Sequence, residues 1–177
     1  MSKLVLTLFA ASTVFVTHFL SQTLLAGELS HDGWVFESPR EEIQPAAKWL
    51  PDGGRSGAGA LVVQSDDRAG LTGVWKKTVP VKGGGYARFT ASRKATNVKL
   101  VRRTGAARII WLNEAGQNVR HDEPSFASYR PGERPRAEPE FPADGPTTNG
   151  WTEVAGTYRV PTDATQARLE LHFRWGD

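Results

Sequence analysis

The sequence predicts an all-β domain, an antiparallel β-sandwich, and three observations carry that expectation. From Gly59 to Trp175, segments rich in β-branched and aromatic residues follow one another, separated by clusters of Gly, Pro, Asn and Asp. In ATQARLELHFRW, Ala167, Leu169, Leu171, Phe173 and Trp175 alternate with Arg168, Glu170, His172 and Arg174, the period of a strand with one buried face. Helical periodicity is almost absent.

The elements follow in order. Residues 1–27 have the outline of a secretory signal: Lys3, then a mostly apolar run from Leu4 to Ala26 without an acidic residue, with cleavage expected near Ala26 or Gly27. The run is also long enough for an uncleaved membrane anchor, although Thr7, Ser12, Thr13, Thr17, His18, Ser21 and Gln22 dilute it. The sandwich is expected over residues 28–177, secreted or periplasmic, or membrane-anchored if the leader stays. It begins with a short strand in GWVFESPREEIQP and a glycine-rich approach, AAKWLPDGGRSGAG, in which Pro and Gly disfavour helix.

Strands are then expected in GALVVQSD, TGVWKKTVPV and GGYARFTASR, with a hairpin turn at Val81 to Gly85 between the last two. AARIIWLNEAGQNVRH reads as two strands around a turn at Asn113 to Gln117, where Gly116 supplies positive φ. The proline-rich segment from His121 to Gly150 has no period, and Phe126, Tyr129 and Phe141 are expected to pack part of it onto the sandwich. Strands in GWTEVAGTYRVP and ATQARLELHFRW end the chain.

Composition narrows the function classes. The chain has no cysteine, so core packing alone must hold it, which is feasible for a mature domain of about 150 residues. Lys and Arg number 22 against 19 Asp and Glu; without Lys3 the balance is 21 − 19 = +2, too small to point to nucleic acid. Arg93, Lys94, Lys99, Arg102 and Arg103 form a local basic cluster. No G-x-S-x-G elbow is present, Gly83 to Gly85 lies between strands rather than before a helix, and no spacing singles out a pair among Glu114, Glu153 and Glu170. The expectation is therefore a non-catalytic module.

Sugars are held by stacking on aromatic rings and by hydrogen bonds to Asn, Asp, Glu, Arg or His. Candidate ligand-binding residues are Tyr86, Arg88 and Arg93 on one strand and His172 and Arg174 on the last, with Trp49 and Tyr129 offered by loops. An ordinary solvated outer face is the alternative for the strand residues. Trp111, Trp151 and Trp175 are expected in the core, and Trp75 fits either face. His121, Asp122 and Glu123 alternate sides on an extended chain and are expected at a solvated hairpin end rather than around one metal ion.

The strings VKGGGYARFTA, WLNEAGQ and WTEVAGTYRVPTDATQARLEL resemble, in this order, the galactose-binding-like jelly roll shared by many carbohydrate-binding modules. More narrowly, the chain is similar to the amino-terminal module of some secreted nitrilase-family carbon–nitrogen hydrolases, whose catalytic cysteine this chain lacks. The resemblance implies a carbohydrate or cell-envelope polymer as ligand, within a larger hydrolase system. The rival is a structural module that packs on a catalytic domain or pairs with a protein partner through an open edge. It also implies a structural calcium, to which Glu37, Asp66 and Asp67 would contribute, but no other cofactor. The family pattern continues with one more strand after the last one here, so an edge along Leu169 to Trp175 is expected to be exposed unless another segment of the chain covers it, or the sequence is a truncated or mispredicted reading.

Overall fold

The computed structural model describes residues 3–8, 30–123 and 132–174. Eleven strands are formed among them: β1 (Lys3–Leu8), β2 (Ser30–His31), β3 (Trp34–Glu37), β4 (Ala46–Leu50), β5 (Ala60–Gln64), β6 (Thr72–Pro80), β7 (Tyr86–Thr96), β8 (Ala107–Leu112), β9 (Ala143–Thr148), β10 (Trp151–Arg159) and β11 (Gln166–Arg174). They make two antiparallel sheets, one ordered β4-β5-β1-β7-β10-β9 and the other β2-β3-β6-β11-β8. The expected antiparallel β-sandwich is what the chain forms. Among the described residues helix is confined to a 3-10 turn at Glu41–Ile43 and a single turn, α1, at Val101–Thr104. No helix among the described residues is long and apolar enough to cross a membrane.

The core lies between the sheets, where alternate residues of facing strands meet. Trp75, Phe173, Leu71 and Val154 are nearly inaccessible, and Trp34, Phe36, Phe89, Ile109 and Trp111 join them. Trp75 and Trp111 are thus both core residues, while Trp151 is half-buried with the Lys94 ammonium 5.8 Å from its ring centroid. Trp175, Phe126 and Tyr129 lie outside the described residues; Phe141 is exposed rather than packed down.

Two turns do different work. At Asn113 to Gln117 the Gln117 N–H donates to Asn113 Oδ1 at 2.9 Å and Gly116 adopts φ +73°, as its spacing predicts. The Val81 to Gly85 turn is not the expected hairpin but a crossover, because β6 and β7 belong to opposite sheets. There a Cβ on Gly83 would fall 2.1 Å from the Thr162 carbonyl oxygen, so only glycine lets the two loops approach.

The last strand is not an edge. β11 pairs with β6 over its whole length and with β8 from Gln166 to Leu171, so from Gln166 to Leu171 it has a strand on both sides. Of the edge expected along Leu169 to Trp175, Leu169 to Leu171 is covered by another segment of the chain, β8, which makes β11 a central strand there; Trp175 lies outside the described residues. At the other end of the chain Lys3–Leu8, read from sequence as the start of a leader, takes a central position in the six-stranded sheet.

Candidate functional site

β10 brings two surfaces together. Its alternation sends Val154 and Val160 into the core and leaves Thr157 and Arg159 outside. On the neighbouring strand Tyr86 stands directly opposite Arg159, and Arg88 opposite Thr157. Cross-strand partners share a face, so these four side chains form one outer patch. Tyr86 is 78% exposed, the most open large aromatic among the described residues.

Beyond Arg159 this patch runs into a cleft of about 550 Å³, lined by His121, Asp122, Glu123, Arg136, Glu138 and Glu140 together with Arg159. Its walls come from the ends of segments that pair only locally. His121 N–H donates to the Pro135 carbonyl, Ala137 N–H to Val119, and Ile109 and Glu140 exchange both main-chain bonds at 2.9 Å. These bridges hold residues 135–140 extended, and with Ala137 buried the alternate residues Arg136 and Glu138 face out.

Charge in the cleft is only partly neutralised. Asp122 Oδ1 accepts the Thr162 N–H at 2.8 Å, and Arg159 lies 3.6 Å from Oδ2. The Thr162 hydrogen bond, helped by Arg159 and Arg134, holds the Asp122 carboxyl below the usual range despite partial burial. Burial, then the Glu140 charge, pushes the Tyr158 hydroxyl up, which puts Glu140 within electrostatic reach of that phenol. The His121 ring accepts the Glu138 N–H at 3.4 Å. Glu123, Glu138, Glu140 and Arg136 have no ion-pair partner among the described residues. Unpaired carboxylates and a guanidinium in a concave site can accept from and donate to hydroxyl groups.

The other sequence-derived candidates are placed differently. Arg93 is 5% exposed, on the core-facing side of β7; its guanidinium donates to the Gly105 carbonyl at 3.0 Å and to Asp144 at 2.6 Å. Its odd spacing from Tyr86 and Arg88 turns it to the opposite face. Trp49 is not on a loop but on β4, opposite Leu61, packed against the core and stacked on His31 with ring centroids 3.8 Å apart. Gly59 (φ +106°) gives it room, since a Cβ there would sit 2.0 Å from the indole.

His172 Nε2 is 2.7 Å from Glu170 Oε2, on the outer face of the other sheet, and Arg174 beside it is exposed. Tyr129 lies outside the described residues. The structure thus joins Tyr86 and Arg88 to one surface and separates them from Trp49, Arg93, His172 and Arg174.

The residues named for calcium do not fit the ion. Glu37 pairs with Lys76 and Asp66 with Arg68, and no cluster of three or more His, Asp or Glu among the described residues could hold a metal. His121, Asp122 and Glu123 line the cleft without forming such a cluster. Arg136, Glu138, Glu140 and Arg159 were not singled out from sequence, although the alternation in Arg136-Ala137-Glu138-Pro139-Glu140 is a period-two signal.

No family model matches the sequence, and no curated protein does. Among solved structures, the chain is similar to the enzymatically active domain of tailspike protein 4 of bacteriophage CBA120, with TM-score 0.56 and 15% sequence identity over 80% of this chain. The chain spans 17% of the length of that structure. At this identity the likeness is one of fold. It corrects the expectation of a non-catalytic module: the same architecture occurs inside a domain described as enzymatically active, so the fold gives no ground for excluding catalysis.

Proposed function

We propose that this β-sandwich recognises carbohydrate, a glycan or cell-envelope polymer, on the surface that runs from Tyr86 and Arg88 into the cleft beside Arg159. The register of the exposed Tyr86 with Arg159 carries the reading, because it sets a stacking ring next to unpaired hydrogen-bonding groups. Tyr86 takes the apolar face of a sugar ring, while Arg136, Arg159, Glu138 and Glu140 pair with its hydroxyls. The resemblance of the VKGGGYARFTA and WTEVAGTYRVP strings to galactose-binding-like modules supports the same ligand class, and is the sole support for a place beside a carbon–nitrogen hydrolase domain.

The test is binding of the full chain to a panel of immobilised glycans and polysaccharides. Tyr86→Ala should weaken binding about tenfold, the order of one aromatic stacking contact, with the melting temperature unchanged. Equal affinity for the variant, or no binding to any glycan, would sink the reading.

A second reading, glycoside hydrolysis, is favoured by the carboxylates that line one cleft, since a carboxyl pair is the minimum such chemistry needs. In it Glu138 and Glu140 do the acid–base work, because Asp122 is committed to Thr162 and Arg159. Release of reducing ends from a bound polysaccharide, lost in Glu138→Gln or Glu140→Gln, separates hydrolysis from binding alone.

A further inference from the structure

β1 holds a position that its connections along the chain do not dictate. It lies between β5 and β7, antiparallel to both, with Leu4 opposite Val63 and Ala95, Leu6 opposite Leu61 and Arg93, and Leu8 opposite Ala91. β5 and β7 do not pair with each other, so the sheet is continuous only through β1. Without it the sheet would separate into β4-β5 and β7-β10-β9, and each piece would expose a row of unpaired N–H and C=O groups above the core.

No hairpin ties β1 to either wall. Residues 9–29 join it to β2, which belongs to the opposite sheet. The walls suit an apolar guest: Leu61, Val63 and Ala91 are buried, and their register partners on β1 are Leu6, Leu4 and Leu8. Leu61, Val63, Trp75, Arg93, Val154 and Leu171 line a cavity of about 20 Å³, room for one water, and Arg93 Nε has no hydrogen-bond partner there.

We propose that the space between β5 and β7 is a strand-acceptor site, filled by Lys3–Leu8 in this chain and able to take an equivalent strand from another polypeptide. The partner it fits is an extended segment of about six residues, antiparallel to both walls and apolar at alternate positions. Main-chain bonds to both sides supply affinity, and the alternate positions supply selectivity. Residues 9–29 join the chain's own strand covalently to the sandwich, so exchange requires that connection to be cut or that strand to be lost. This inference does not depend on the carbohydrate reading.

A protease site placed within residues 9–29 of the full chain lets the folded protein be nicked. The fragment carrying Lys3–Leu8 should co-elute with the remainder after cutting. A labelled peptide of sequence SKLVLTLF should then replace it one to one, whereas the same peptide with Leu6→Pro should not. Departure of the fragment with the circular dichroism and melting temperature unchanged would overturn the proposal, as would failure of the labelled peptide to enter. In the uncut chain Leu6→Pro should lower the melting temperature by about 10 °C, because a strand paired on both sides cannot lose an N–H without losing a ladder bond. An unchanged melting temperature would overturn it as well.

Discussion

Two regions of this molecule use the same residue types to opposite ends. On the outer face of the β2-β3-β6-β11-β8 sheet, Glu170 is 1% exposed and its two oxygens meet three partners: Arg108 at 2.5 Å, Arg168 at 2.8 Å and His172 at 2.7 Å. Burial raises its pKa, but the hydrogen bonds from His172 and Arg108 and their charges outweigh that and hold it at about 2. In the cleft, Glu138, Glu140 and Arg136 stand without ion-pair partners among the described residues. A carboxylate whose acceptor sites are filled serves the fold, whereas one that is solvated and unfilled is available to a ligand. Residue type does not separate the two cases; the partners do.

The comparison breaks most visibly at Glu170. Glu170→Gln leaves Arg108 and Arg168 facing an uncharged amide, and thermal unfolding should show a loss on the order of 3 kcal/mol, near 10 °C in melting temperature. A change under 1 kcal/mol would mean that the cluster is merely tolerated.

Acid sharpens the same point. The folded pKa of Glu170 lies below its ordinary value of 4.5, so the stability it contributes is complete above about pH 5 and is lost as pH falls toward 2. Denaturant titrations across that window should show stability falling with pH in the native protein and a shallower fall in Glu170→Gln. Parallel slopes would remove Glu170 from the account.

The smallest expected effect on stability is in the cleft. Replacing Glu138 and Glu140 together by Gln should leave the unfolding free energy within about 0.5 kcal/mol of the native value, since neither carboxylate has an ion-pair partner among the described residues. Glycan binding should nevertheless fall. A large stability loss there would make the cleft structural too.

Much of the fold was legible because strand periodicity and turn chemistry are local. Alternation in β11 places Leu169, Leu171 and Phe173 inside and Arg168, His172 and Arg174 outside, and Gly116 marks its turn. The candidate site was legible at Tyr86 and Arg88, whose parity on β7 puts them on the outer face, and that same parity removes Arg93. Trp49 was misplaced because its ring is enclosed in the fold by Gly59 and His31, which lie on other segments of the chain. Arg136, Glu138 and Glu140 went unnoticed because proline interrupts their segment and their wall forms only through single bridges to β8 and to residues 119–121.

By itself, then, the sequence determined the strand periods, the turn positions, the absence of covalent staples and the exposure of Tyr86, all properties set by near neighbours along the chain. Only the tertiary structure decided that Glu170 is satisfied and Glu140 is not, that β11 is central rather than an edge, and that Lys3–Leu8 completes the other sheet. Each of these depends on which distant backbone or charge lies within hydrogen-bond reach, and spacing along the chain does not encode that distance.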